Sequence, residues 1–108
     1  MKKVLWAPTA RRSLRQTSDF ISGLWNEQVK SEFLNQLNYR IEQIQRNPEL
    51  APTFEDSEVR KLVIHKSVSL FYLNQPEQIR LLLIWDNRQN PAEFYRKLID
   101  AKLNRKTG

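Results

Sequence analysis

Apolar residues fall along the chain in several rhythms, and each predicts a different element. The opening run Lys3-Val4-Leu5-Trp6-Ala7 reads as a short strand, halted by Pro8. Downstream, Leu14, Ile21 and Leu24 share one face at helical spacing, with Thr17 between them. A helix is expected there, with Thr9 as its cap and Ala10 as its first residue. Gly23 ends or loosens it, and Asn26 is placed to cap a second helix. In that second helix Val29, Phe33, Leu37, Ile41 and Ile44 recur at spacings of 4, 4, 4 and 3, until Asn47-Pro48 stops it. So short a link predicts an antiparallel helix hairpin, with Trp25 stapling the two helices.

Residues 48–58 lose all periodicity. They hold two prolines and four acids without a base, and read as the connection from helices to sheet. Three strands follow: Val59–Ile64, Val68–Leu73 and Ile79–Trp85. Their turns, His65-Lys66-Ser67 and Asn74-Gln75-Pro76-Glu77, are short enough for an antiparallel meander. The last strand is apolar throughout except for Arg80, the pattern of a central strand buried on both faces. Asn90 then caps a final helix, with Pro91 at its first position and Glu93 three residues after the cap. Phe94, Leu98 and Ile99 form its apolar stripe, and residues 104–108 are expected to fray. The order is β-α-α-β-β-β-α in one domain over residues 1–108, an α+β fold with its helices grouped on one face of a mainly antiparallel sheet.

Composition narrows the chemistry. Of 108 residues 40% are apolar, enough for one core. With no Cys and a single His, disulfides, thiol catalysis, Cys-ligated zinc, iron–sulfur clusters and multi-His metal sites are excluded. No cofactor or metal motif is present. No apolar run approaches the ~20 residues that span a bilayer, and no signal peptide is visible, so a cytoplasmic protein without membrane contact is expected. The net charge of +6 is uneven. Residues 1–48 carry eight bases and four acids, residues 49–76 three and four, and residues 77–108 seven and four. Basic ends favour an anionic partner, nucleic acid or an acidic protein.

Three groups of residues invite a function. The exit of the last strand, Trp85-Asp86-Asn87-Arg88-Gln89-Asn90-Pro91, places Arg88 to grip phosphate or carboxylate bidentately, or to pair with Asp86 and cap the strand end. Arg60, Lys61, His65 and Lys66 form a second basic group, in which alternation sets Arg60 and Lys61 on opposite faces. His65, in the expected turn, is a candidate general acid or base, or a solvated turn residue. Arg11, Arg12 and Arg15 lie near the start of the first helix, against its dipole. They form either a ridge for nucleic acid or another target, or an ordinary solvated surface. Trp6, Trp25 and Trp85 are too scattered for base stacking, and Trp85 belongs to the core.

These segments together resemble the RelE/ParE superfamily, toxins of type II toxin–antitoxin systems also known as plasmid stabilisation proteins. The residues that carry the resemblance are the helix end Arg46-Asn47-Pro48, the stretch Val59–Tyr72, and the strand and exit Ile79–Pro91. It implies a compact growth-inhibiting toxin neutralised by an extended antitoxin peptide, lying in an apolar groove between helix hairpin and sheet. A free toxin with that groove uncovered is expected to self-associate. It also implies one of two activities: RelE-like members cut messenger RNA in the ribosomal A site, whereas ParE-like members inhibit DNA gyrase without nuclease chemistry.

A nuclease needs several cationic and acid–base groups around one phosphate. Of the family's set, Arg60 stands at a lysine position and Arg88 at the strand-end arginine. Leu62 replaces a second lysine, Ser69 an arginine, and Phe94 a tyrosine, with Tyr95 adjacent. His65 is a further candidate. Losing one such charge stabiliser typically costs ~10²–10³ in rate. The resemblance therefore leans towards ParE-like binding of gyrase or a similar target, with Arg11, Arg12, Arg15, Lys61 and Lys66 as contact residues. The alternatives are a ribosome-dependent endoribonuclease using Arg60, Arg88, and His65 or Tyr95, and an inactive interaction module.

Overall fold

The computed structural model describes residues 1–24 and 26–103. The expected Trp25 staple, the side chain of Leu24 and the fraying segment 104–108 lie outside the described residues. The elements are β1 (Lys3–Trp6), α1 (Pro8–Leu24), α2 (Glu27–Arg46), β2 (Arg60–His65), β3 (Val68–Asn74), β4 (Gln78–Asp86) and α3 (Pro91–Leu103). They form one sheet in the order β1-β4-β3-β2, antiparallel except for the parallel pair β1 and β4. This is the expected α+β order, with the helix hairpin packed on the sheet.

α1 begins two residues before its expected start. Pro8 takes the first helical position, where its fixed φ suits the helix and its missing N–H would have had no partner. The Ala7 carbonyl accepts the first helical bond from the Arg11 N–H at 3.1 Å, so Thr9 lies inside the first turn and not at the cap. Asn26 does cap α2, its side chain accepting the Val29 N–H at 2.9 Å. β2 runs one residue further than expected, so His65 closes the strand and the turn tightens onto Lys66, at φ 47°.

β4 is buried on both faces, and the packing around it corrects the expectation that all helices share one side. α1 lies over β4 and α2 over β2, burying Ile21, Phe33, Leu37, Ile41 and Ile44 against Leu62, Leu70, Leu81 and Ile84. α3 covers the opposite face, where Phe94, Leu98 and Ala101 meet Phe71, Leu82, Leu83 and Trp85. A bulge makes this possible. Phe71 pairs with Leu83 and Tyr72 with Leu81, so Leu82 is an extra residue, and Leu82 and Leu83 both join the α3 cluster. Ile99, expected in the α3 stripe, is 55% exposed, because the buried positions 94, 98 and 101 follow the helical repeat and turn residue 99 outward.

β1 ends at Trp6, opposite Leu81, so the far end of β4 has β3 along one edge and no strand along the other. Hydroxyls from α1 complete the ladder instead. Ser13 Oγ accepts the Ile84 N–H at 2.9 Å, and Thr17 Oγ1 donates to the Ile84 carbonyl at 3.3 Å. A threonine on an otherwise apolar helix face is thereby explained: it satisfies a backbone group that burial would leave orphaned.

Candidate target-binding surface

The polar exit of β4 is locked. Asp86 is fully buried, and its Oδ1 accepts from Ser67 Oγ, from the Arg88 N–H and from Arg88 Nε, each at 2.9 Å. Arg88 Nη2 reaches the second carboxylate oxygen at 2.5 Å. Burial by itself would raise the Asp86 carboxyl, but the bonds from Arg88 and Ser67 outweigh it and hold the group below the usual carboxylate range. The guanidinium also lies 5.5 Å from the centroid of the Phe20 ring of α1.

The other cationic candidates stand elsewhere. Arg60 is on the α1–α2 side of β2 and donates to the Ala51 carbonyl at 2.6 Å. It pairs in register with Tyr72, whereas Asp86 pairs with Val68, four residues along β3. That separates Arg60 from the β4 exit by roughly 14 Å. His65 is half-buried at the β4-exit end, paired with Val68 as Asp86 is. Lys66 is exposed in the adjoining turn.

On the α3 side the fold assembles a different surface. Phe54, Phe71, Trp85, Phe94 and Tyr95 surround a pocket of about 210 Å³, with Lys61, Asn87 and Gln89 among its walls. Lys61 and Tyr95 are thus brought together, while Arg60 points to the other face, as alternation requires. The rings meet edge-on or tilted: Phe54 and Phe71 at 5.2 Å, Phe71 and Phe94 at 5.0 Å. The Tyr95 hydroxyl donates to the Glu55 carboxylate at 3.0 Å. That bond raises the phenol above its ordinary value, away from service as a base. Phe54 and Glu55 reach the pocket because segment 52–59 folds back along β2: Lys61 N–H donates to the Pro52 carbonyl at 3.1 Å and Phe54 N–H to the Val59 carbonyl at 2.7 Å. Nothing in the periodicity of that segment announces this. Its only signal is an aromatic residue in a stretch otherwise suited to a solvated loop.

The three helix arginines separate. Arg11 and Arg15 line a groove of about 480 Å³ at the outer margin of the hairpin, with Trp6, Leu14, Lys30 and Leu34. Arg12 turns to the other side of α1, towards α3. The apolar groove expected between hairpin and sheet is closed by the core itself, and an open groove lies instead at this outer margin. Among the described residues no three His, Cys, Asp or Glu side chains come together to hold a metal ion, and no helix is long and apolar enough to cross a membrane.

The fold is that of a small toxin. The family model described as the ParE toxin of the type II toxin–antitoxin system, parDE, matches residues 4–91, and the chain belongs to that family. It is a toxin component of a type II toxin–antitoxin system, which implies an antitoxin as partner. Among solved structures it is similar to the chromosomal ParDE toxin–antitoxin system from P. aeruginosa, with a TM-score of 0.67 and 17% identity over 80% of this chain and 96% of that one. At that identity the likeness is one of fold. None of the curated proteins matches.

Proposed function

We propose that the toxin inhibits growth in the cytoplasm by binding its target, DNA gyrase being the one the ParE resemblance implies, and not by cutting RNA. The observation that carries this reading is the closed Asp86–Arg88 pair. The strand-end arginine commits Nε and Nη2 to a buried carboxylate, and Arg60 commits a donor to a backbone carbonyl roughly 14 Å away along the strands. Phosphoryl transfer asks for charge stabilisers that converge on one phosphate. The α3-side pocket instead offers what a protein interface uses: a ring-lined cavity able to take an anchoring side chain, with Lys61 and Tyr95 at hand. The outer hairpin groove, with Arg11, Arg15 and Lys30 around an apolar floor, suits an acidic antitoxin segment.

Two assays on the purified chain test the reading together. Gyrase supercoiling should be inhibited. A messenger translated in a cell-free system, its 3′ ends read by primer extension, should stay intact. Cuts within translated codons that vanish on Arg88→Ala would establish the endoribonuclease instead. Loss of neither supercoiling nor messenger, with no effect on growth, would leave the inactive module.

A further inference from the structure

Arg11, Arg12 and Arg15 crowd the first two turns of α1, whose first turn holds no acid to offset them and whose dipole opposes them. Cations held where local electrostatics disfavours them point to a use beyond folding. The use of Arg12 is set apart from that of its neighbours. It enters a cleft of about 150 Å³ between α1 and α3, lined also by Thr9, Gln16, Arg96, Lys97 and Asp100. We propose that this cleft is a binding site for a phosphate group, supplied by the backbone of a nucleic acid. The proposal does not depend on gyrase being the target.

Charge is the first argument. Three cations, Arg12, Arg96 and Lys97, face one lining carboxylate, Asp100. Arg96 is shared with Glu93 on its own helix. Lys97 donates to the neutral Gln16 Oε1 at 2.9 Å and sits 5.5 Å from the Trp85 ring centroid, so its charge is held in place without being cancelled. Arg12 makes no hydrogen bond or ion pair among the described residues.

Size and geometry are the second. The cleft has room for a tetrahedral oxyanion between its two walls. The donors stand on two walls, Arg12 on α1 and Arg96 and Lys97 on α3. The non-bridging oxygens of a phosphate can accept from both walls at once, in charge-assisted bonds. Thr9, only 6% exposed, adds a hydroxyl to the lining. The walls are rigid, because Ser13 and Thr17 fix α1 to β4 and Leu98 anchors α3 in the core.

The test uses the full chain and two probes, inorganic phosphate and a short DNA duplex. Phosphate titration followed by amide NMR should shift Thr9, Arg12, Gln16 and Lys97 ahead of the rest. Duplex binding by fluorescence anisotropy should weaken about tenfold on Arg12→Gln, and the slope of log K against log salt should fall by about 1. Arg11→Gln, an equal charge loss outside the cleft, serves as the control and should weaken binding far less. If phosphate moves the cleft amides but the duplex does not bind, the site stands and its ligand is a free phosphate. The proposal is overturned if the cleft amides do not move, if Arg11→Gln and Arg12→Gln weaken duplex binding equally, or if Arg12→Gln impairs only binding of an acidic antitoxin peptide.

Discussion

Arg88 folds back two residues and closes on Asp86, Nε to Oδ1 at 2.9 Å and Nη2 to Oδ2 at 2.5 Å. The two side chains are unequally placed: the carboxylate is fully buried, while the guanidinium is 37% exposed. The pair is therefore an anchor for the β4–α3 junction, and the cost of removing Arg88 is that of leaving a buried carboxylate short of donors. Arg88→Ala should lower stability by about 1–2 kcal/mol, a value discounted for the exposure of the arginine. Urea unfolding measures it. The double variant Asp86→Asn/Arg88→Ala should lose less than the sum of the single losses, since the two residues act as a unit. Simple additivity would show that the pair is not coupled.

The same pair sets a pH dependence. The Asp86 carboxyl is held below its ordinary range, so its contribution is fully present above the unfolded value of about 4 and is lost as pH falls through the lower folded value. Wild type and Asp86→Asn should differ in urea midpoint at pH 7, and the gap should narrow by pH 3. An equal gap at both values would mean that the charge of Asp86 is not what stabilises.

Tyr95 separates binding from catalysis. Its ring lines the α3-side pocket, and among the described residues its hydroxyl bonds only to the exposed Glu55. A contact role needs the ring, and an acid–base role needs the hydroxyl. Tyr95→Phe should keep growth inhibition near wild type, whereas Tyr95→Ala should weaken it at least tenfold. Thermal unfolding should move little for both, within the ~0.5 kcal/mol usual for surface sites. Loss of inhibition in Tyr95→Phe would return the tyrosine to the catalytic candidates.

Ser13 carries a structural prediction of a different kind. Its Oγ is the partner of the Ile84 N–H, on the edge of β4 that β1 does not reach. Ser13→Ala should cost about 1–3 kcal/mol by orphaning that donor. Ser31→Ala, on the exposed face of α2, should change stability hardly at all. Chemical denaturation of the two variants side by side checks the difference.

Much of the fold is legible in residue spacing. The repeat of Phe33, Leu37, Ile41 and Ile44 is buried as its period requires, and Asn26 and Asn90 cap the helices that follow them. The unbroken apolar run of β4 already implied cover on both faces. The expectation nevertheless grouped the helices on one face, and neither Ile99 nor Leu98 reveals alone that the last helix crosses to the other or which way it rolls. The bulge at Leu82 decides it, by sending two successive leucines to one side.

The candidate residues divide along the same line. Local rules reached the opposite faces of Arg60 and Lys61, the pairing of Asp86 with Arg88 and the basic start of α1, because each depends on neighbours in sequence. The aromatic pocket and the α1–α3 cleft were beyond them. Phe54 meets Phe94 across 40 residues, and Arg12 lines one cleft with Lys97 across 85. Contacts of that span depend on register, sheet order and helix roll together, and no pattern along one segment encodes them. Sequence alone thus determined the elements, their order and the basic character of the chain. Tertiary packing decided which charges are paired, which stand together and which surface is left for a partner.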